Sequence, residues 1–217
     1  GLAIHLGLTR HRHDQLVDDH QPPEVRRVPL EQLVLRIHAT RLHEQSRTGQ
    51  AKTVCMELLE PPAPAAVEKA VEQLVRLGAI NVDESTGRET LTALGGHLAN
   101  LPLQAQLGKL VLLGAAFGPG ATDAALTIAA SLQSRNPFVA PLEKREEANQ
   151  ARKKFAERVV QASRSKAVGP SDHLAVLEAY REWNELPANG DHKWNFCQEN
   201  FLSIRTLQGM AELKRQL

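Results

Sequence analysis

Residues 65–92 read AAVEKAVEQLVRLGAINVDESTGRETLT, and a change of period inside this stretch decides how its surroundings fold. Val67, Ala70, Val71, Leu74, Val75 and Leu77 keep the three- and four-residue spacing of one α-helical face, and Gly78 stands where a left-handed cap would end it. The spacing predicts a helix from about Ala65 to Leu77. Ile80-Asn81-Val82 and Thr90-Leu91-Thr92 then flank a polar turn at 83–88 that contains Gly87, which predicts a short two-stranded hairpin. Upstream, the prolines of Glu60-Pro61-Pro62-Ala63-Pro64 forbid a helix from running through, so the apolar group Val54 to Leu59 stops there.

Working outward, Leu30, Leu33, Val34 and Ile37 again share one helical face, behind a proline at 29 suited to a first turn. Leu94-Gly95 opens another short helix through His97-Leu98-Ala99 that ends at Leu101-Pro102. Helix, helix, hairpin is the order of a winged-helix domain, expected over 29–102. Before it, residues 1–28 show little periodicity and carry Pro22-Pro23, the mark of a connector. Beyond Pro102 the pattern is helical to the end, with breaks at Gly118-Pro119-Gly120, Asn136-Pro137, Gly169-Pro170 and Pro187-Ala188-Asn189-Gly190. Leu107 to Phe117 and Asp123 to Leu132 are apolar nearly all round and are expected as the buried hairpin of a bundle. Glu143 to Arg158 is mostly charged and is expected to face water. Asp172 to Leu186 offers Leu174, Leu177, Ala179, Tyr180 and Trp183 to a core. The expected fold class is mainly α, a winged-helix domain followed by an all-helical bundle over 103–217.

All eight aromatic residues lie in the second half, from Phe117 to Phe201, so the halves are expected to build different cores. With 42% hydrophobic and 24% charged residues, 217 residues bury a core without staples. A net charge of +1 excludes a histone-like basic tail, so any nucleic-acid contact must use local patches. Cys55 and Cys197 are too far apart in sequence for a disulfide framework or a CxxC pair and are expected as buried, inert thiols of an intracellular protein. The apolar region Leu110 to Leu132 is interrupted and contains Asp123, so no bilayer-spanning helix is expected. The start at Gly1, without methionine or a leader pattern, reads as a piece of something longer.

Few residue patterns support catalysis. Gly49-Gln50-Ala51-Lys52 and Gly108-Lys109-Leu110 lack the second glycine and the hydroxyl of a phosphate-binding loop, so no ATP site and no cofactor are expected within this chain. His11, His13 and His20 lack helical metal-ligand spacing, and no GxSxG elbow occurs. Around Ser131-Leu132-Gln133-Ser134-Arg135-Asn136-Pro137-Phe138, hydrogen-bond donors cluster at a predicted helix end. They suit either capping and loop closure or the holding of phosphate oxygens. The run Lys144-Arg145, Arg152-Lys153-Lys154, Arg158, Arg164 and Lys166 is interspersed with Glu143, Glu146, Glu147 and Glu157. It reads equally as a nucleic-acid path or as a solvated helix.

Several strings, in order, resemble the region that follows the second RecA-like domain in DEAH/RHA-type RNA helicases, closest to the RHA branch. Gln21-Pro22-Pro23-Glu24-Val25-Arg26-Arg27 with Pro29 to Ile37, Leu59-Glu60-Pro61-Pro62, Leu77-Gly78-Ala79-Ile80, Leu91-Thr92-Ala93-Leu94-Gly95 and Leu101-Pro102-Leu103 are similar to that family's linker and winged helix. Thr127 to Leu132, Pro137-Phe138, Lys144 to Ala148, Ser171-Asp172-His173-Leu174 and Phe196-Cys197 with Asn200-Phe201-Leu202-Ser203 are similar to its helical ratchet (HA2) domain. The resemblance implies that 1–28 connects from the end of the second RecA-like domain, with Gly1 to Leu6 as its last strand. It implies RecA-like domains and single-stranded RNA as partners, no membrane, a nuclear or cytoplasmic place, and ATP with Mg only in the parent protein. It further implies an RNA-channel module in which Ser134, Arg135, Asn136 and Arg205 contact RNA. The rival expectations are a structural protein-interaction bundle and a DNA-binding winged-helix regulator. The regulator is disfavoured because the 65–77 helix offers only Lys69 and Arg76 against Glu68 and Glu72.

Overall fold

The computed structural model describes residues 23, 25, 27–162, 169–187 and 191–217. Most of the expected connector, the strand at Gly1 to Leu6, His11, His13, His20, Arg164 and Lys166 lie outside the described residues. The chain divides into two compact units, Gly1–Gly96 and His97–Leu217. The fold is mainly α, with one two-stranded sheet among the described residues.

In the first unit, α1 (Glu31–Ala39) buries Val34, Leu35 and Ile37, a 3₁₀ turn (Leu42–Gln45) follows, and α2 (Ala51–Met56) buries Ala51 and Cys55. Helix α3 (Pro64–Leu77) opens on a first-turn proline and ends at Gly78, whose φ of 77° places it in the left-handed region. The Ala79 N–H closes back on the Leu74 carbonyl at 2.9 Å, so the chain reverses straight into strand β1. Strands β1 (Ile80–Val82) and β2 (Glu89–Leu91) pair antiparallel with Ile80 opposite Leu91. Asp83 Oδ1 accepts from the backbone and hydroxyls of Ser85 and Thr86, which fixes the turn. Those bonds hold its carboxyl well below the usual range, at about 2. At Gly95, in α4 (Ala93–Asn100), a Cβ would lie 2.1 Å from the Ala79 carbonyl oxygen, so only glycine lets the helix approach the hairpin.

The second unit begins within α4 and continues through α5 (Ala105–Ala116), α6 (Pro119–Gln133), a 3₁₀ turn (Leu142–Lys144), α7 (Arg145–Ala162), α8 (Asp172–Glu185), α9 (Asp191–Glu199) and α10 (Ile204–Gln216). Its main core gathers Phe155, Ala175, Ala179, Tyr180, Trp183, Cys197, Leu207 and Met210, with Phe138 and Phe196 packed against it. Phe155 is wholly buried and meets Phe138 at 5.8 Å and Phe196 at 6.3 Å between ring centroids. A smaller cluster of Leu103, Val111, Ala125 and Ala129 sits between α5 and α6.

Two expectations are corrected here. The α5–α6 hairpin is not buried all round: Leu113 is 50% and Phe117 82% exposed. Its seam is made of small side chains, and a Cβ on Gly114 would lie 2.7 Å from that of Ala125. Leu110, Leu113 and Phe117 remain exposed beside that seam. Helix α7 does not simply face water either, because Ala148, Ala151, Phe155 and Ala156 are buried. Three of those four are alanines, which weigh little in a hydropathy reading yet seat the helix.

Candidate nucleic-acid interface

The donor cluster is built where α6 gives way to an extended strand of chain. Ser134 ends the helix in extended backbone, its N–H bonded to the Ser131 carbonyl at 3.2 Å. Asn136 Oδ1 accepts the Phe138 N–H at 2.9 Å, an Asx turn that aims the chain onward. Pro137 is buried, and Phe138 pairs with Leu202 in an isolated antiparallel bridge. The Val139 N–H donates to the Phe201 carbonyl and the Ser203 N–H to the Pro137 carbonyl, each at 2.8 Å.

That bridge sets the 134–136 loop beside the start of α10. Phe201, in left-handed backbone at φ 54°, turns the chain out of α9, and the Leu202 N–H closes on the Cys197 carbonyl. Ser203 caps α10 by accepting the Thr206 N–H, and Arg205 is the second residue of the helix. Loop 134–136 and the turn bearing Arg205 are thus neighbours, although 69 positions separate Asn136 from Arg205. Arg135 and Arg205 are exposed, and neither is held by a carboxylate among the described residues. Asn136 serves loop closure through its oxygen, while its Nδ2 makes no hydrogen bond among the described residues.

Beside the loop lies a cavity of ≈ 270 Å³ lined by Ser131, Leu132, Ser134, Asn136, Pro137, Asp172, His173 and Val176. His173, exposed in the first turn of α8, is a lining residue that spacing alone did not select; its only signal was the Ser-Asp-His-Leu string. The basic run resolves into two groups. Arg152 pairs with Asp172, and Arg158 pairs with Glu182 while lying 4.5 Å over the Phe155 ring, so both are committed to structure. Lys144, Arg145, Lys153 and Lys154 are exposed and without a carboxylate partner among the described residues.

The thiols offer no nucleophile. Burial and the Glu89 charge push Cys55 up to about 11, and burial raises Cys197 as well. The two Gly-Lys pairs do not fit a nucleotide and its magnesium: Lys52 is bound to Glu68, and Gly108 lies inside α5 against Leu98, with no loop to turn N–H groups on phosphates. On α3, Arg76 pairs with Glu72 at 3.5 Å and Glu68 holds Lys52, which leaves too little positive charge for a groove-reading helix. No group of three or more His, Cys, Asp or Glu is placed to hold a metal among the described residues. No helix among them is long and apolar enough to cross a membrane.

Residues 104–176, the part of the second unit that carries the loop, match the helicase-associated domain (HA2), ratchet-like. The whole chain in turn aligns with RNA helicases of the DEAH/RHA type, the family its strings resemble. It is 43% identical over 217 residues to "Putative ATP-dependent RNA helicase DHX57" of Mus musculus, covering 100% of this chain and 14% of that protein. It is 38% identical over 197 residues to DExH-box ATP-dependent RNA helicase DExH1 of Arabidopsis thaliana, covering 91% of this chain and 17% of the relative. It is also 38% identical over 202 residues to ATP-dependent DNA/RNA helicase DHX36 of Rattus norvegicus, covering 93% and 18%. The chain therefore spans less than a fifth of the length of these relatives.

Proposed function

We propose that this chain is the RNA-guiding accessory module of an ATP-dependent RNA helicase. Residues 29–102 act as a winged helix that packs on RecA-like domains, and the ratchet bundle over 103–217 lines a path for single-stranded RNA. ATP and magnesium are bound elsewhere in the parent, which works inside the cell. The observation that supports the reading is the Phe138–Leu202 bridge, which ties the chain just after Ser134, Arg135 and Asn136 to the chain just before Arg205, while Arg135 and Arg205 are exposed and face no carboxylate among the described residues. Backbone-directed donors of this kind position a strand without reading its bases.

The test is Arg135→Ala and Arg205→Ala in the parent helicase. RNA-stimulated ATPase and unwinding should fall while basal ATPase stays within twofold; unchanged RNA affinity in both variants overturns the reading. The 217-residue chain alone should bind single strands weakly, with log affinity falling by about 1.5 to 2 per decade of salt, as two or three phosphate contacts give. It should not hydrolyse ATP.

A second reading, a protein-interaction bundle, is favoured by the exposed Leu110, Leu113 and Phe117 on α5. Leu113→Lys with Phe117→Lys separates the two, because the RNA-guiding reading expects that pair to leave RNA affinity unchanged.

A further inference from the structure

Three ionisable residues are buried together inside the first unit: His38 at 2% exposure, His43 at 7% and Glu89 at 7%. Glu89 stands on β2, and one oxygen, Oε2, serves two helices. It accepts the Ala51 N–H at 2.9 Å and lies 2.9 Å from His38 Nε2. Ala51 opens α2, whose own cap residue, Gln50, supplies no side-chain bond. A carboxylate 38 positions away therefore caps that helix, favourably placed at its positive end. The same strand edge is tied by the Glu89 N–H to the Gly49 carbonyl at 3.2 Å and by Gln50 Nε2 to the Gly87 carbonyl at 3.0 Å.

His43, on the 3₁₀ turn, packs its ring 4.2 Å from that of His38, centroid to centroid. Nδ1 of each ring is buried without a hydrogen-bond partner among the described residues. A proton added to His43 puts its charge into this buried site, against the His38 ring.

We propose that Glu89, His38 and His43 form a proton-sensitive clasp that holds the β1–β2 hairpin to the helices of the first unit, closed at neutral pH and loosened as His43 takes up a proton. This goes beyond the RNA-guiding role and does not depend on it.

Burial first, and the adjacent His38 second, hold the His43 pKa below its ordinary 6.5. The Ile37 carbonyl, Glu44 on the same turn and Glu89 from the hairpin pull the other way and are outweighed. Helix α2 buries only the Cys55 thiol, which stays neutral in this range, and its Lys52 is held by Glu68 of α3. The sign follows from proton uptake. The unfolded chain protonates His43 near 6.5 and the folded chain resists, so stability is full above that pH and is lost as pH falls below it. One such group lowers the folding constant by up to about tenfold per pH unit until the folded pKa is reached.

The experiment compares the 217-residue chain with His43→Gln at pH 7.5 and 5.5, by urea unfolding and by amide exchange of residues 80–82 and 89–91. The unsubstituted chain should lose up to about tenfold in hairpin protection at the lower pH, beyond the chemical change in exchange rate, and His43→Gln should flatten that dependence. An identical pH dependence in both overturns the proposal. A histidine ring titration by NMR on the unsubstituted chain decides the matter if the variant does not fold: His43 titrating below 6.5 supports the clasp, and at or above it overturns the clasp. Glu89→Gln should reduce hairpin protection at pH 7.5 by several-fold or more, and undiminished protection sinks the role given to the carboxylate.

Discussion

The first unit buries Val34, Leu35, Ile37, Val67, Leu74 and Ile80 and admits His38, His43 and Glu89 among them, without a single Phe, Tyr or Trp. In the second, Phe155, Tyr180 and Trp183 dominate, and the buried polar residues, Thr127 and Ser131, bond only to carbonyls of their own helix, Asp123 and Ile128. Aliphatic side chains exclude water but constrain orientation weakly, so the first unit fixes its hairpin with directional bonds from Glu89. Aromatic rings meeting at set angles let the second unit fix α7, α8 and α9 by shape.

The comparison is broken first at its heaviest point. Phe155→Ala removes the wholly buried ring that Phe138 and Phe196 lean on, and should cost about 3–5 kcal/mol. Tryptophan fluorescence reads it cleanly, because Trp183 and Trp194 both lie in the second unit; a shift in the unfolding midpoint worth less than about 1 kcal/mol would show that shape is not what holds it. Next, Gly95→Ala forces a methyl against the Ala79 carbonyl and should cost about 2–3 kcal/mol, seen as faster exchange at 80–82. Glu89→Ala leaves His38 Nε2 and the Ala51 N–H without their acceptor and should cost about 2 kcal/mol, mostly in the first unit. Arg135→Ala should change stability by less than about 0.5 kcal/mol, since the side chain is exposed and pairs with nothing described; thermal unfolding checks it.

What could be read from the sequence divides along the same physical line. The helix over 65–77, its Gly78 cap, the hairpin and the break at Gly118-Pro119 rest on interactions between residues a few positions apart, and all were legible. So was the donor loop, because Ser, Asn and Pro at a helix end announce a turn. The Phe138–Leu202 bridge was not, since nothing in either string names its partner, and neither was the cluster of His38 with Glu89, 51 positions apart. No spacing or motif in the sequence singles out His38 or His43. The exposed α5 face was misread because hydropathy cannot tell that Gly114 and Ala125 make the seam and Leu113 does not.

The bridge that joins residues 137–139 to 201–203 also bears on thermodynamics of recognition. A segment pinned by an Asx turn at one side and two backbone hydrogen bonds at the other has surrendered most of its conformational freedom when the bundle folds. On the proposed RNA-guiding reading, a strand reaching Ser134 to Asn136 meets a preorganised surface, and little ordering entropy opposes the encounter. Association should accordingly be governed by desolvation and ionic strength, with only a minor contribution from the stiffness of the loop itself.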